Sequence, residues 1–410
     1  MSPRVVIGVP LYNNAGHLPE AIESLLMQTC RDFALVLVDD MSTDGTSRIA
    51  RRYQARDERI SYVRNQRRLG MVCNWRRAFE AARERHPEME YFAWASDHDV
   101  WHPRWLGKLV EVLDEDSGVV MAYPLSTGIN DEGEVVKESW EFDTQGVSNM
   151  RKRAALVSEE MAAGDMVYSL FRADALERCG VYRLVLLPDR LLMNLLALHG
   201  RFKQVPEALW FRRFSASVRP SYARQRASFF PDGAPFYSFL PWPVQHGAAA
   251  TWSLVVKGNG PEGTSRADAM SLAAFEFRLA QSYQFRRAFR RRRKGVRQYL
   301  QNRTLPALTR PIGGDRAHRI ITKAATRATD TAHDADRDPA ARARDLVKMA
   351  SETATQLRRE RALASSRKAK GESKPEVPRS KAARNRAKRM RSKQKVKKAQ
   401  AKRTETKAAK

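Results

Sequence analysis

The sequence has few cysteines and no long apolar run. Its 410 residues contain three cysteines, Cys30, Cys73 and Cys179, which are too few and too scattered for a disulfide framework or a zinc site. Each lies within or beside an apolar segment, so we expect buried free thiols. No run approaches the roughly 18 apolar residues of a transmembrane helix, and no signal-peptide pattern opens the chain. A reducing, cytoplasmic location fits these features.

The glycine-rich loops that cradle phosphates are also missing. Neither a Walker-A loop nor a G-x-G-x-x-G follows the first predicted strand, which argues against an ATPase or a dehydrogenase. A nucleotidyltransferase is disfavoured because the first loop is neither glycine-rich nor basic.

Acidic residues are scarce at the C-terminal end. The formal net charge is +28, and residues 366–410 hold 19 Lys and Arg against 3 Asp and Glu. This segment cannot bury enough apolar surface to offset its ordering entropy, so we expect a disordered tail. The tail suits non-specific contact with nucleic acid or another polyanion, but it has no aromatic residue for base stacking.

Four short apolar runs alternate with helical patterns along the first hundred residues. The predicted strands are residues 4–10, 34–38, 60–63 and 91–95. Continuous apolar runs are typical of strands buried on both faces, and the β-α alternation predicts a doubly wound α/β sheet.

Three of these strands end in candidate ligand-binding residues, most of which are polar. They are Pro10, Tyr12 and Asn13 after the first strand, Asp39 and Asp40 after the second, and Asp97 and Asp99 after the fourth. Open α/β sheets bind ligands at the carboxyl ends of their strands. Carboxylates repel a phosphate unless a divalent cation lies between them, and Mg²⁺ or Mn²⁺ suits such oxygen ligands. The alternative is that these residues cap helices or form turns.

Four segments together resemble family 2 of the glycosyltransferases, which have the GT-A fold. They are Val-Pro-Leu-Tyr-Asn-Asn (9–14), Ser-Leu-Leu-Met-Gln-Thr (24–29), Val-Asp-Asp-Met-Ser-Thr-Asp-Gly-Thr (38–46) and Ala-Ser-Asp-His-Asp-Val-Trp-His-Pro (95–103). The third segment is the most specific. Weaker resemblance continues to about residue 220, so the predicted fold class is α/β, a GT-A-like doubly wound mixed sheet.

The resemblance implies a donor site for a nucleotide-diphosphate sugar, with UDP-sugar favoured. Pro10, Tyr12 and Asp40 would line the nucleobase and ribose pocket, with Asp39 beside them. The segment 65–77 resembles the family's donor-binding helix start and makes Arg76 a candidate pyrophosphate contact.

The resemblance also implies that Asp97 and Asp99 are the D-x-D pair that meets the metal and the diphosphate. Many relatives carry Asp-x-Asp-Asp, whereas Ser96 and His98 fill two of those places here. One alternative therefore makes Asp97 the nucleotide-sugar contact and either His98 or Asp99 the metal ligand. A histidine ligand would favour Mn²⁺ over Mg²⁺.

By the same resemblance, Asp189 is the catalytic base. The family places an acidic residue about ninety positions after the D-x-D at a helix start, and Leu187-Pro188-Asp189-Arg190 is the segment that fits. Asp189 would deprotonate the hydroxyl of a saccharide or lipid-linked acceptor in an inverting transfer, in cell-surface polysaccharide or glycolipid synthesis. The alternative is a helix cap.

We expect three regions: a catalytic domain over 1–225, a helical extension over 226–310 and an Ala/Arg/Lys-rich, largely disordered tail over 311–410. The extension contains a basic helix whose apolar residues share one stripe. They are Phe285, Phe289, Val296, Tyr299 and Leu300. The helix either packs this stripe on the catalytic domain or lies on an anionic membrane, as a peripheral contact at its inner face.

One different class of function is compatible with the sequence. The basic tail suits a nucleic-acid or polyanion-binding protein whose α/β domain is a catalytically silent scaffold.

Overall fold

A computed structural model describes residues 2–131, 133–138, 141–160, 166–214 and 221–304, together with 341, 344, 345, 347, 348 and 352. For residue 138 and residues 287–304 only the backbone is described. All of these residues belong to one compact unit, Met1–Thr355. The predicted basic tail, 366–410, lies outside the described residues.

Nine strands and ten α-helices are described. The strands are β1 (Val5–Leu11), β2 (Phe33–Asp39), β3 (Ile60–Arg64), β4 (Tyr91–Trp94), β5 (Val100–Trp101), β6 (Val119–Ile129), β7 (Val135–Glu138), β8 (Leu170–Arg172) and β9 (Arg201–Arg213). The helices are α1 (Leu18–Leu26), α2 (Thr46–Gln54), α3 (Met71–Arg85), α4 (Trp105–Glu115), α5 (Met150–Glu160), α6 (Ala173–Arg178), α7 (Pro188–His199), α8 (Tyr222–Phe229), α9 (Trp242–Thr251) and α10 (Arg266–Thr304).

The strands form one mixed sheet in the order β3-β2-β1-β4-β8-β6-β9-β5, with β7 beside β6. The first four strands in chain order are parallel, and β8 joins β4 and β6 in antiparallel pairing. The two-residue strand β5 directly follows Asp99 and pairs antiparallel with β9. The carboxyl ends of β1, β2 and β4 therefore lie side by side.

Helices cover both faces of this sheet. Val6 of β1 and Val36 of β2 face the core that includes α3, whereas Val5 and Ile7 face the core that includes α1 and α2. Successive side chains of a strand point to opposite faces, so a continuous apolar run is buried on both. The predicted α/β fold class, a GT-A-like doubly wound mixed sheet, is confirmed.

One expectation, on the cysteines, needs correction. Cys179 is a buried free thiol as expected, but Cys30 and Cys73 are only half-buried. Within the region expected to be a disordered tail, the six described residues near 345 are helical, and Val347 is buried against Val100 and Phe211. A single well-placed valine can bury apolar surface that composition averaged over a long segment does not reveal.

The basic helix predicted within the extension corresponds to α10. Most of its predicted apolar stripe lies among the side chains that are not described. Phe285, which is described, is 75% exposed. None of the described helices combines the length and the apolar character needed to cross a bilayer.

Candidate active site

Asp39 organises the loop that joins β2 to α2. Its carboxylate accepts hydrogen bonds from the backbone N–H of Ser42 at 2.8 Å, from the Ser47 hydroxyl at 2.6 Å and from the Tyr62 hydroxyl at 2.7 Å. Burial alone raises the pKa of Asp39, but these hydrogen bonds outweigh it and hold the pKa below its ordinary value. Asp39 is therefore an ionised anchor of the loop.

Asp40 fixes the start of α3. Its carboxylate accepts hydrogen bonds from the Asn65 side chain at 3.0 Å and from the backbone N–H groups of Leu69 and Gly70 at 2.6 and 2.9 Å. Gly70 has φ 81°, and a Cβ there would lie 2.4 Å from the Phe229 carbonyl oxygen. Asp40 thus holds a turn that only glycine fits, and it is itself 2% exposed.

Tyr12 presents an open aromatic surface just beyond β1. Its side chain is 39% exposed, and the guanidinium carbon of Arg68 lies 4.1 Å from its ring centroid. Pro10, two residues earlier, is buried within β1 opposite Val38 of β2. Tyr12 and Arg68 together offer a flat, cationic platform of the kind that stacks on a nucleobase.

Asp97 and His98 lie beside the same strand end. The Asp97 carboxylate accepts hydrogen bonds from the Asn14 side chain at 2.9 Å and from the backbone N–H of Tyr12 at 3.4 Å. His98 Nδ1 is 2.8 Å from Asp97 Oδ1. The side chains of Asp97 and His98 retain 12% and 39% exposure. Burial alone lowers the pKa of His98, but Asp97 and Asp99 raise it above its ordinary value.

Asp99 occupies a different environment, because it is 1% exposed. Its carboxylate accepts hydrogen bonds from the backbone N–H of Arg213 at 2.8 Å and from Trp210 Nε1 at 3.1 Å. Burial raises the pKa of Asp99 above its ordinary value, although His98 and these donors oppose the rise. Asp99 therefore ties the turn after β4 to β9.

Arg213 stabilises the turn after β4. Its guanidinium donates to the His98 carbonyl at 2.9 Å and to Glu20 Oε2 at 2.5 Å. The side chains of Arg213 and Glu20 are 2% and 5% exposed. A buried pair of this kind links α1, β9 and the turn that carries Asp97.

Replacing Arg213 by methionine is expected to lower the free energy of unfolding by about 3–5 kcal/mol, because it removes the buried guanidinium that faces the Glu20 carboxylate. Urea denaturation measures the change. The control is Arg104→Met, which breaks an exposed ion pair with Glu207 and should cost about 1 kcal/mol or less. Equal losses in the two variants would contradict the bracing role.

Asp189 lies in the first turn of α7, but it does not cap that helix. The N-cap position is Leu187, and no side-chain cap hydrogen bond is made there. The Asp189 carboxylate instead accepts a hydrogen bond from the Tyr182 hydroxyl at 2.9 Å. Arg76 of α3 donates from Nε to the Tyr182 carbonyl at 2.8 Å. The predicted pyrophosphate contact therefore holds the segment that positions Asp189.

The surroundings of Asp189 adjust its proton affinity. Burial raises its pKa to about 6, although the Tyr182 hydroxyl and the charge of Arg212 pull it down. A carboxylate with a pKa near the working pH suits general-base catalysis.

Tyr168 connects the two halves of the site. Its ring packs between Trp75 and Trp210, with centroid distances of 5.3 and 4.8 Å. Burial raises the pKa of Tyr168 well above its ordinary value, and the charges of Asp99, Asp189 and Asp97 raise it further. The carboxylates after β4 and at the start of α7 thus surround one half-buried tyrosine.

Several residues of this arrangement were not singled out from the sequence. They are Asn14, Glu20, Arg68, Tyr168, Tyr182 and Trp210. Asn14 belongs to the segment 9–14 that carries the resemblance, so its polar character at a strand end was a usable signal. The others act through contacts between residues far apart in the chain, which spacing alone does not reveal.

The possible metal ligands of the site are few. Among the described residues, no group of three or more His, Cys, Asp or Glu side chains is arranged to hold a metal ion. Mg²⁺ and similar ions often take one or two protein ligands and complete their shell with water and substrate phosphates. The partly exposed pair Asp97 and His98 fits that incomplete kind of site better than the buried Asp99 does.

Part of the chain is similar to known glycosyltransferases. Curated relatives include the putative glycosyltransferase EpsE of Bacillus subtilis, 33% identical over 114 residues, which are 28% of this chain and 39% of EpsE. Another is the putative teichuronic acid biosynthesis glycosyltransferase TuaG of the same organism, 32% identical over 115 residues, 28% of this chain and 44% of TuaG. The chain thus spans less than half the length of either relative.

A solved structure, S. aureus TarS 1–349 in complex with UDP-GlcNAc, superposes with a TM-score of 0.47 at 14% identity, covering 87% of this chain and 92% of TarS 1–349. The model of the family described as Glycosyl transferase family 2 matches residues 6–180. The similarity to this family therefore covers residues 6–180, which are less than half of the chain.

Proposed function

We propose that this chain transfers a sugar, with inversion, from a nucleotide-diphosphate sugar to an acceptor hydroxyl. The observation that carries the proposal is that Asp97 and Asp189 both connect to the end of β4. Asp97 follows that strand and accepts a hydrogen bond from the backbone N–H of Tyr12. Asp189 accepts one from Tyr182, whose ring packs on Trp94 of β4. The resemblance to family 2 keeps a UDP-sugar as the favoured donor. The relative TuaG, whose name describes teichuronic acid biosynthesis, favours a product in cell-surface polysaccharide or glycolipid synthesis.

The donor site is assigned to the platform of Tyr12 and Arg68 for the nucleobase, with the β2 end beside it. Asp39 and Asp40 act there through the backbone that they hold in place. Arg76 remains a proposed pyrophosphate contact, and its guanidinium also anchors the Tyr182 carbonyl.

Asp97 is assigned to the donor's diphosphate end together with His98. Asp99, the other predicted ligand, is assigned a positioning role because both of its oxygens accept hydrogen bonds from β9. When bound, Mn²⁺ or Mg²⁺ would neutralise charge on the leaving diphosphate.

Asp189 removes the proton from the acceptor hydroxyl. The acceptor oxygen then forms a bond to the anomeric carbon as the bond from that carbon to the diphosphate oxygen breaks on the opposite face. The proton resides on Asp189, and the nucleotide diphosphate leaves with the bonding electron pair. The half-buried carboxylate suits this role, since it is neither a cap nor part of an ion pair in the described structure.

A screen of nucleotide sugars by thermal shift, with and without Mn²⁺, tests the donor assignment. A ligand that binds only the folded protein raises its apparent melting temperature by mass action. The proposal requires at least one nucleotide sugar to stabilise the full chain and to be turned over in its presence. Absence of both effects across UDP-, GDP-, ADP- and dTDP-sugars would overturn it.

Replacing Tyr182 by phenylalanine is expected to move the acid limb of the pH–rate profile to higher pH. The limb should lie at about pH 6 in the wild type, where Asp189 loses its proton. Removing the hydroxyl removes a hydrogen bond that favours the ionised carboxylate, so the pKa of Asp189 rises further, by roughly one pH unit.

The matched control is Tyr53→Phe, which removes a hydroxyl bonded to Glu23 at 2.8 Å on α1. Its acid limb should coincide with that of the wild type. A Tyr182→Phe profile that only drops in height, with no displacement along the pH axis, would show that Tyr182 has a structural role alone.

A further inference from the structure

Helix α9 and the π-helical turn Trp252–Val256 that continues it expose an apolar row. Val244, Ala248, Trp252 and Val256 follow at four-residue spacing, which on a helix places them along one side. Val244, Trp252 and Val256 are 41%, 51% and 57% exposed, and Ala248 is exposed as well. We call these four residues the α9 strip.

The opposite side of the same helix packs into the core. Trp242, His246, Ala250 and Leu254 repeat at the same spacing and are all buried, at 3% exposure or less. His246 Nε2 lies 2.8 Å from the Leu186 carbonyl. The fold therefore requires only the buried row, and the α9 strip is additional apolar surface.

The turn before α9 adds aromatic surface, and cations accompany it. In the 3₁₀ turn Phe236–Phe239, Phe236 and Phe239 are 82% and 60% exposed. The Arg226 guanidinium carbon lies 4.6 Å from the Phe239 ring centroid, and Lys257 Nζ lies 5.7 Å from that of Trp252. Residues 233–261 contain no Asp or Glu.

We propose that the α9 strip and this turn rest on a lipid bilayer with anionic headgroups. Apolar side chains enter the boundary between headgroups and acyl chains, tryptophan favours that depth, and adjacent Lys and Arg meet lipid phosphates. The absence of carboxylates over 233–261 removes the repulsion that an anionic surface would otherwise meet. The charge pattern thus matches an anionic membrane.

The helix that carries the α9 strip also contacts the segment before the proposed base. His246 of its buried row lies against the carbonyl of Leu186, which is three residues before Asp189. A lipid-linked acceptor in the same bilayer would therefore be separated from this segment by the width of one helix. This consequence rests on the proposed function, whereas the membrane contact does not.

Co-sedimentation of the full chain with vesicles of equal parts phosphatidylglycerol and phosphatidylcholine tests the contact, without any nucleotide sugar. The assay is run at about 1 M NaCl, where the Debye length is about 3 Å and attraction of the basic tail is screened. Wild type should still bind, and Val256→Glu should lower the partition coefficient by about tenfold or more, since a carboxylate resists burial in the acyl boundary.

The matched control is Val136→Glu, because Val136 of β7 is 54% exposed. It should bind as the wild type does. Equal vesicle binding by both variants, or no binding by the wild type at this salt concentration, would overturn the proposal. A change in oligomeric state with Val256→Glu in the absence of lipid, with vesicle binding unaltered, would identify a second copy as the occupant and also overturn it.

Donor hydrolysis is measured on the same samples. Retained hydrolysis in Val256→Glu with lost vesicle binding supports the membrane contact. Vesicle binding in a chain that shows no donor turnover leaves the membrane contact standing while the proposed function fails.

Discussion

The substitution Asp189→Asn is expected to lower the rate of sugar transfer by about 10²–10⁴-fold, the contribution typical of a general base. The amide keeps the size of the side chain and still accepts a hydrogen bond from Tyr182, but it cannot take a proton. Donor affinity should change little, because Asp189 is assigned to the acceptor. Steady-state transfer kinetics and thermal-shift titration with the donor measure the two quantities separately.

The control for this prediction is Asp174→Asn on α6. Asp174 pairs with Arg178 at the surface and has a side chain that is 62% exposed. This variant should transfer sugar at the wild-type rate. Wild-type turnover by Asp189→Asn would assign Asp189 to structure and require a different base.

The substitution Asp97→Asn is expected to abolish the Mn²⁺-dependent part of donor binding and to lower turnover by about 10²–10³-fold. The amide loses the negative charge, and it also disturbs the contact with His98 at 2.8 Å. The measurement is the melting temperature with the donor, in the presence and absence of Mn²⁺. Asp116→Asn, which loses a carboxylate paired with Arg201, should keep the full Mn²⁺ response.

A companion variant separates the two alternatives for the second ligand. If His98 contacts the cation, His98→Ala should remove any preference for Mn²⁺ over Mg²⁺, because imidazole suits Mn²⁺ better. An Asp97→Asn protein with an unchanged Mn²⁺ response would place the cation elsewhere.

The site combines rigid supports with a few accessible groups. Asp39, Asp40 and Asp99 each accept two or more hydrogen bonds from protein donors, so they set the positions of three loops. Tyr12, His98 and Asp189 retain accessible surface. This division is expected of a site in which binding groups are held by a second layer of hydrogen bonds.

Buried polar groups continue into the helices behind α7. Burial raises the pKa of Glu276 to about 8, and Asn194 of α7 donates to its carboxylate at 2.8 and 3.1 Å. His246 of α9 lies 4.0 Å from the same carboxylate. The described part of the predicted extension 226–310 thus packs on the helix that carries Asp189. These contacts cross the domain boundary expected at residue 225.

Sequence alone was sufficient to predict the strands of the first hundred residues and the polar groups that follow them. Continuous apolar runs bury both faces of a strand, and the alternation with helices determines that neighbouring strands are parallel. Local pattern therefore indicated a ligand site at these strand ends, whereas the donor roles of its residues came from the family resemblance, for which the segment 38–46 is the most specific.

Only the tertiary structure distinguished the roles of those residues. The pattern Asp97-His98-Asp99 does not show that Asp99 is closed off by Trp210 and Arg213, because these contacts join positions 111 and 114 residues apart. Tyr182 is only 7 residues from Asp189, but it is anchored by Arg76, which is 106 residues away. The apolar row at Val244 and Trp252 was equally hidden, since a helix with apolar residues on two sides exposes one of them only once the other is packed. Local spacing determines which residues share a face, and packing over long sequence separations determines what that face meets.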